Sequence, residues 1–248
     1  MSLLEALALV AIGGVAGFIN VLSAGGSMLT LPLLMFLGLP PQTANGTNRV
    51  SIVLQSVTAV GGFFRAGARD IGISLRLAIP AVFGSLLGAW LALQVPDALF
   101  EAVLVAAMVI ASVMMLLPQP RLDTRTLTPE RLTPVVYLAM FVIGLYGGFI
   151  QVGVGVLFIA VLYRLLRIDL AQVNVFKVFI ILLYTLPALA MFVLSDQVRW
   201  SYGLLLALGS MSGAWLAVRV NLGPRGAVWV KWLTIAVIVA IVVRLLLF

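Results

Sequence analysis

Gly84-Ser85-Leu86-Leu87-Gly88-Ala89-Trp90-Leu91-Ala92-Leu93 returns as Gly209-Ser210-Met211-Ser212-Gly213-Ala214-Trp215-Leu216-Ala217-Val218. Seven of the ten positions are identical, at a constant offset of 125 residues in a chain of 248. The chain therefore reads as two copies of one unit.

Composition decides the solvent that this unit meets. Hydrophobic residues make up 63% of the chain and charged residues 9%, and the mean hydropathy is +1.23. An average soluble domain is far more charged and less apolar. A water-soluble fold cannot bury this much apolar surface, so the surroundings are lipid bilayer. Residues 1–22 lack a basic n-region and a small-residue cleavage site. They read as a retained first membrane segment, not a signal peptide. There is no Cys and no His. That removes disulfides, thiolate or imidazole metal sites, and Ser-His-Asp or Cys-His nucleophiles. No Gly-x-x-x-x-Gly-Lys-[Ser/Thr] loop is present, so the chain does not hydrolyse ATP itself. No cofactor and no metal are expected. The net charge of +7 raises nucleic acid as a partner, but the basic residues are scattered between apolar spans. Such scatter is a topology signal, and no nucleic-acid partner is expected.

The apolar runs divide the chain into ten segments: 3–22, 27–38, 45–64, 73–93, 98–117, 134–151, 154–166, 172–194, 200–218 and 228–247. A full span takes roughly 20 residues. Segments two and seven are too short to cross unaided, and their partners one and six are interrupted by glycines. Each pair is either a re-entrant hairpin or two tilted, broken helices. Residues 1–117 form one membrane repeat and 134–248 the other, joined by a linker at 118–133. The linker region is marked by Pro118, Pro120, Pro129 and Pro134 and by mixed charge, as suits a solvated connector. The predicted fold class is an all-α integral membrane protein of two repeats, each with about five helical segments including a broken or re-entrant short helix.

The basic residues set an orientation. Arg65, Arg69 and Arg76, then Arg121, Arg125 and Arg131, then Arg164 and Arg167, then Arg219, Arg225 and Lys231 fall on one side. The other side holds 38–43 and 94–97, without Lys or Arg, and 195–199 with Arg199. The positive-inside rule places the first group in the cytoplasm. The loop 65–76 is then inside while its repeat counterpart, 195–199, is outside. The two copies are therefore expected to have inverted topology, with both termini outside.

Glycine clusters mark where chemistry is expected. Gly13-Gly14-Val15-Ala16-Gly17-Phe18-Ile19-Asn20 continues through Ser23, Gly25, Gly26 and Ser27 to Pro32. Gly144-Leu145-Tyr146-Gly147-Gly148-Phe149-Ile150-Gln151 continues to Gly153 and Gly155. Each glycine costs a helix about 1 kcal/mol relative to alanine. Unwound backbone in a membrane persists only when buried in protein or lining an aqueous cavity. Glycine-interrupted segments at matching places in two repeats point to a transporter's binding site, and N–H groups at half-helix starts favour an anion. Close helix packing through small residues is the rival reading, and it is preferred for Gly84-x-x-x-Gly88 and Gly209-x-x-x-Gly213.

A second polar constellation follows the short segments. Asn45-Gly46-Thr47-Asn48-Arg49 matches Asn174-Val175-Phe176-Lys177, and both stretches open a long apolar helix. A cation at membrane depth is expensive and is a functional candidate unless it snorkels to an interface. Gln55, Ser56 and Thr58 continue the first of these helices as a polar stripe. The candidate substrate-binding residues are Asn20, Ser23, Gly25, Gly26, Ser27, Asn45, Thr47, Asn48, Arg49, Gln151, Gly153, Gly155, Asn174 and Lys177. All eight acidic residues sit in or beside loops. No intramembrane carboxylate is evident for proton or sodium coupling, and no acid–base pair for an intramembrane enzyme, so no catalytic residue is expected. Trp90 and Trp215, at one repeat position near span ends, are expected to be interfacial anchors.

Gly-Phe-Ile followed by Gly25-Gly26-Ser27 and Leu31-Pro32-Leu33, then Ala44-Asn45-Gly46-Thr47-Asn48, then Gly84-Ser85-x-x-Gly88-Ala89-Trp90, resembles the TauE/SafE family of sulfite exporters and 4-toluene sulfonate uptake permeases. The resemblance covers essentially the whole chain. It implies a bacterial inner-membrane carrier for small sulfur-containing anions such as sulfite, thiosulfate, sulfoacetate or other organosulfonates, working in either direction. Relative to the family pattern, Ser23-Ala24-Gly25-Gly26-Ser27 stands for Gly-x-Gly-Gly-Gly, and Val173-Asn174-Val175-Phe176-Lys177 for Ala-Asn-Ala-Thr-Lys. The first half-site is rich in amides and hydroxyls and the second more apolar, which suits an organosulfonate better than bare sulfite. In the carrier reading Arg49 and Lys177 supply positive potential, the amides and hydroxyls coordinate the oxyanion, and the halves rock in alternating access. An anion channel or a non-transporting scaffold is the alternative, and a homodimer is compatible with the sequence.

Overall fold

A chain in lipid must satisfy its own N–H and C=O groups, so its apolar runs become helices. The computed structural model describes residues 1–22, 25–67, 71–116 and 132–221, and every regular element among them is helical. The helices are α1 (Leu3–Leu22), α2 (Ser27–Phe36), α3 (Pro41–Arg65), α4 (Ile71–Gln94), α5 (Asp97–Leu116), α6 (Pro134–Phe149), α7 (Val154–Leu166), α8 (Leu170–Leu194) and α9 (Trp200–Asn221). The first nine expected segments fall on these helices. The tenth, at 228–247, lies outside the described residues, as does the linker expected at 118–133 up to residue 131.

Three of the boundaries that differ from expectation do so for a clear local reason. Helix α3 begins at Pro41, four residues before the expected 45. Proline fits the first helical position, where its missing N–H has no partner to lose. Asn45 and Arg49 therefore lie in the second and third turns, beyond the positive end of their own helix. Helix α6 stops at Phe149 instead of 151, because Ile150 turns extended (φ −147°, ψ 135°). Helix α2 stops at Phe36 instead of 38, and Gly38 (φ 86°) turns the chain away. Within α7, residues Ile159–Tyr163 form a π turn, which no sequence signal announced.

Four described helices are long and apolar enough to cross a membrane: Leu3–Leu22, Gly72–Gln94, Leu170–Leu194 and Trp200–Val220. Their outward faces are apolar. Leu75, Ile79, Phe83, Leu87 and Trp90 form an exposed stripe along α4, and Trp200, Leu204, Leu208 and Trp215 form its counterpart on α9. Exposed apolar stripes of this length require lipid as their solvent. Arg219 stacks its guanidinium 3.6 Å from the Trp215 ring, placing a cation and an aromatic ring together at the helix end.

The two halves clasp each other reciprocally. Helix α1 packs on α9, and α6 packs on α4. A β-carbon at Gly84 or Gly88 would overlap the α6 backbone at Phe141–Leu145 or Leu145–Phe149. One at Gly209 or Gly213 would overlap α1 at Val10–Gly14 or Gly14–Phe18. The same relation holds in return, with Gly144 and Gly148 against Ala81 and Ser85, and Gly13 and Gly17 against Leu206 and Ser210. The duplicated Gly-Ser-x-x-Gly block is thus a packing seam in which backbones touch because no side chain intervenes. Its serines add cross-ties: Ser85 Oγ donates to the Tyr184 carbonyl (2.9 Å), and Ser51 Oγ donates to Ser210 Oγ (2.8 Å).

At the centre, α3 and α8 run antiparallel. The start of α3 meets the end of α8, with Arg49 4.7 Å over the Phe192 ring. The end of α3 meets the start of α8, with Phe64 edge-on to Phe179. The turns at 38–43, 94–97 and 195–199 gather at one end of the bundle, where Gln42 donates to the Val95 carbonyl, Thr43 to Gln197, and the Arg199 N–H to Thr47. Arg65 and Arg219 lie at the other end, near which Gly62 approaches Val218.

Glycines in the seam and outside it should respond oppositely to substitution. Gly213→Val should destabilise by about 3 kcal/mol or more through overpacking against backbone. Gly61→Ala, with no described atom within 4 Å of the added carbon, should be neutral or stabilising by up to about 1 kcal/mol. Thermal unfolding in detergent reads both.

Candidate functional site

Helix α2 begins just after Gly25 and Gly26, and α7 begins after a break at 150–153. Gly25 (φ 152°) and Gly153 (φ 65°) occupy backbone conformations that a side chain would strain. Residues from both stretches line one narrow cavity that is partly open to solvent. Asn20, Gly25 and Ser27 line it from the first break, Gln151, Gly153 and Gly155 from the second, and Gln55 and Ser56 from α3. Ile52, Val178 and Ile181 supply part of an apolar wall, and none of the described residues that line it is charged.

The first N–H groups of a helix have no partner within it and carry the positive end of its dipole. Here the opening residues Ser27 of α2 and Val154 and Gly155 of α7 lie in the cavity wall, while the N–H groups of Met28, Leu29 and Val156 donate to the carbonyls of Gly25, Gly26 and Gly153. Two helix N-termini thus converge on a polar pocket in an apolar protein. Asn20 Nδ2 lies 3.4 Å from Gln55 Oε1, holding two amides side by side in that wall. Gln151 Nε2 donates to Thr185 Oγ1 (2.7 Å), and Tyr146 Oη donates to the Val152 carbonyl within the break.

The other expected site residues lie behind this wall. Gly26 packs against α1, where a β-carbon would overlap the Ala16 carbonyl and the Asn20 side chain. Asn45 Nδ2 donates to the Phe149 carbonyl (2.9 Å). Arg49, fully buried, donates to the carbonyls of Gly147 (3.2 Å) and Gly148. Asn174 Nδ2 donates to the Leu22 carbonyl (3.2 Å), and Lys177 Nζ to the Val21 carbonyl (3.0 Å) and Asn174 Oδ1 (2.9 Å). Thr47 accepts from the Arg199 N–H, and Asn48 Oδ1 accepts from Thr30 Oγ1 (2.7 Å). Ser23 lies outside the described residues. The structure therefore brings Asn20, Gly25, Ser27, Gln151, Gly153 and Gly155 to the cavity and sets both cations on helix-end carbonyls.

Several polar atoms around the end of α6 are buried without a hydrogen-bond partner among the described residues: Asn45 Oδ1, Asn48 Nδ2, Arg49 Nε, Gln151 Oε1 and Tyr184 Oη. Each such atom costs about 1–3 kcal/mol. Their concentration in one region marks a place that admits water or a polar ligand. Sequence reading missed Thr30, Thr185 and Tyr184, since single hydroxyls within apolar runs carry no pattern. No buried carboxylate occurs among the described residues.

A family model described as "Sulfite exporter TauE/SafE" matches residues 9–245. The "Probable membrane transporter protein ORF9" of a Sinorhizobium species is 29% identical over 94% of this chain and 88% of its own length. A "Probable membrane transporter protein" of Haemophilus influenzae is 28% identical over 86% of this chain and 82% of its own. The "Probable membrane transporter protein YfcA" of Escherichia coli is 27% identical over 84% and 77%. No solved structure matches the chain.

Gly153→Ala tests the second break. A side chain at φ 65° carries a strain of roughly 1–2 kcal/mol. The added carbon would also overlap Ala111. The variant should melt below wild type in detergent, whereas Gly72→Ala, with no described atom within 4 Å of the added carbon, should not.

Proposed function

We propose that this chain, which belongs to the TauE/SafE sulfite exporter family, carries small sulfur-containing anions (sulfite, thiosulfate, sulfoacetate or another organosulfonate) across a bacterial inner membrane by alternating access. Membership makes it a membrane transporter. One observation carries the anion reading: the N-termini of α2 and α7 converge on a single cavity whose wall holds amides, hydroxyls and glycine backbone. A sulfonate or sulfite oxygen would accept from those N–H groups and from Asn20, Ser27 and Gln151, while Ile52, Val178 and Ile181 would receive a carbon body.

The proposed machine is two inverted-topology repeats, 1–117 and 134–248, joined by a cytoplasmic linker at 118–133. The antiparallel course of the equivalent helices α3 and α8 supports this, as does the reciprocal α1–α9 and α6–α4 packing. The end that carries Arg65 and Arg219 would be cytoplasmic. With multi-pass insertion the turns at 38–43, 94–97 and 195–199 would then lie outside. The cavity would open to either side as the two halves rock about the fixed breaks.

Flux into proteoliposomes tests the reading. At least one of sulfite, thiosulfate, sulfoacetate and 4-toluene sulfonate should enter saturably. Ser27→Ala and Gln151→Ala should each raise KM by about tenfold or more, the usual cost of losing a hydrogen bond to an ionised group. Silence toward all four anions sinks the substrate assignment. A current that does not saturate points to a channel.

A further inference from the structure

We propose that Arg49 and Lys177 are positioning residues: each is a tethered cation from one half that holds the carbonyl end of the other half's broken helix, and neither touches the transported anion. The proposal rests on the carrier reading of the cavity and gives its two buried cations a different task from substrate binding.

The last carbonyls of a helix lack partners within it and carry the negative end of its dipole. In a membrane, water is not there to solvate them. Helices α1 and α6 both end inside the protein, at Leu22 and Phe149, so each exposes such an end at depth. The sequence supplies the same remedy twice. On α3, Arg49 covers the Gly147 and Gly148 carbonyls while Asn45, one turn earlier, covers that of Phe149. On α8, Lys177 covers the Val21 carbonyl while Asn174, one turn earlier, covers that of Leu22. An amide and a cation about one turn apart thus cap the broken helix of the opposite half at both places.

The partner chemistry fits this task. Both cations are 0% exposed, and the hydrogen bonds described for them go to carbonyl oxygens and an amide oxygen. Neither lines the cavity, although their neighbours Val21, Val178 and Gln151 do. The result is a separation of polarity. Carbonyl ends are held by cations outside the cavity lining, and the first residues of the amide ends, Ser27, Val154 and Gly155, stand in it. An anion in the cavity would then lie nearer the amide pole of each break than its carbonyl pole.

Replacing Lys177 tests this. Lys177→Ala leaves a hole beside the Val21 carbonyl and Asn174 Oδ1 that suits methylammonium. Methylammonium chloride should raise the apparent melting temperature of purified Lys177→Ala and leave wild type unchanged, with sodium chloride at equal strength as control. Lys177→Arg, which keeps charge and donors, should melt near wild type, and Lys177→Met should melt well below it. This second comparison decides if Lys177→Ala does not fold. In flux assays Lys177→Met should lose more than about tenfold in turnover while KM for the anion stays within about threefold. An equal effect of methylammonium on both proteins overturns the proposal, and so does Lys177→Met melting like wild type. A large rise in KM at unchanged turnover makes Lys177 a substrate ligand instead. If wild type carries none of the tested anions, the substrate assignment fails by itself, and the melting comparisons still decide the role of Lys177.

Discussion

An interrupted helix inside a membrane must find partners for the backbone groups it frees. Water is absent there, and an unmet carbonyl or amide costs several kcal/mol, so about half a dozen per break would unfold most domains. The rest of this structure follows from how that constraint is met where α1 gives way to α2 and α6 to α7. At the carbonyl ends the solution is internal, with Arg49 and Asn45 on α6 and Lys177 and Asn174 on α1. At the amide ends the opening residues of α2 and α7 are left at a cavity with polar walls. That asymmetry between the poles is what the proposed carriage of an anion would use.

The same constraint explains why the halves are intimate. Capping residues on α3 and α8 reach the broken helices of the opposite half, so those helices must lie close. Glycine permits that approach on both sides of the seam, where Gly84, Gly88, Gly209 and Gly213 each lie against backbone. Ser85 and Ser210 tie the seam helices α4 and α9 to the central helices, through the Tyr184 carbonyl on α8 and Ser51 on α3. The seam and the breaks are therefore two parts of one arrangement, in which small residues bring backbones together and large polar ones close what the glycines open.

Much of this was legible in the sequence because the chain carries its own internal comparison. The duplicated Gly-Ser-x-x-Gly-Ala-Trp block located matching segments, and the short runs at 27–38 and 154–166 fell on α2 and α7. What escaped was set by tertiary geometry. The polarity of Arg49 and Lys177 was visible, but their destination was not, because the partners lie more than ninety residues away and are backbone carbonyls, which no side-chain pattern records. Helix α3 began earlier than its hydropathy suggested because Pro41 starts a helix with polar residues that are then buried. The two breaks also differ in a way alignment concealed: α1 continues beyond the matched Gly-Phe-Ile to Leu22, whereas α6 stops within it. Asn20 is thus helical while Gln151 sits in the break, and the two half-sites offer their amides from different backbones.

The central claim is that the cavity between the two breaks is reached from one side of the membrane at a time. The chain has no cysteine, so Ser56→Cys would place a single thiol in the cavity wall with little change in volume. Its labelling by a membrane-impermeant maleimide, measured from each side in oriented vesicles, is the most direct test. The account predicts labelling that a transported sulfur anion suppresses, and that shifts between sides when the anion is supplied on one side only. A thiol labelled equally from both sides at once, or from neither under any condition, would contradict it.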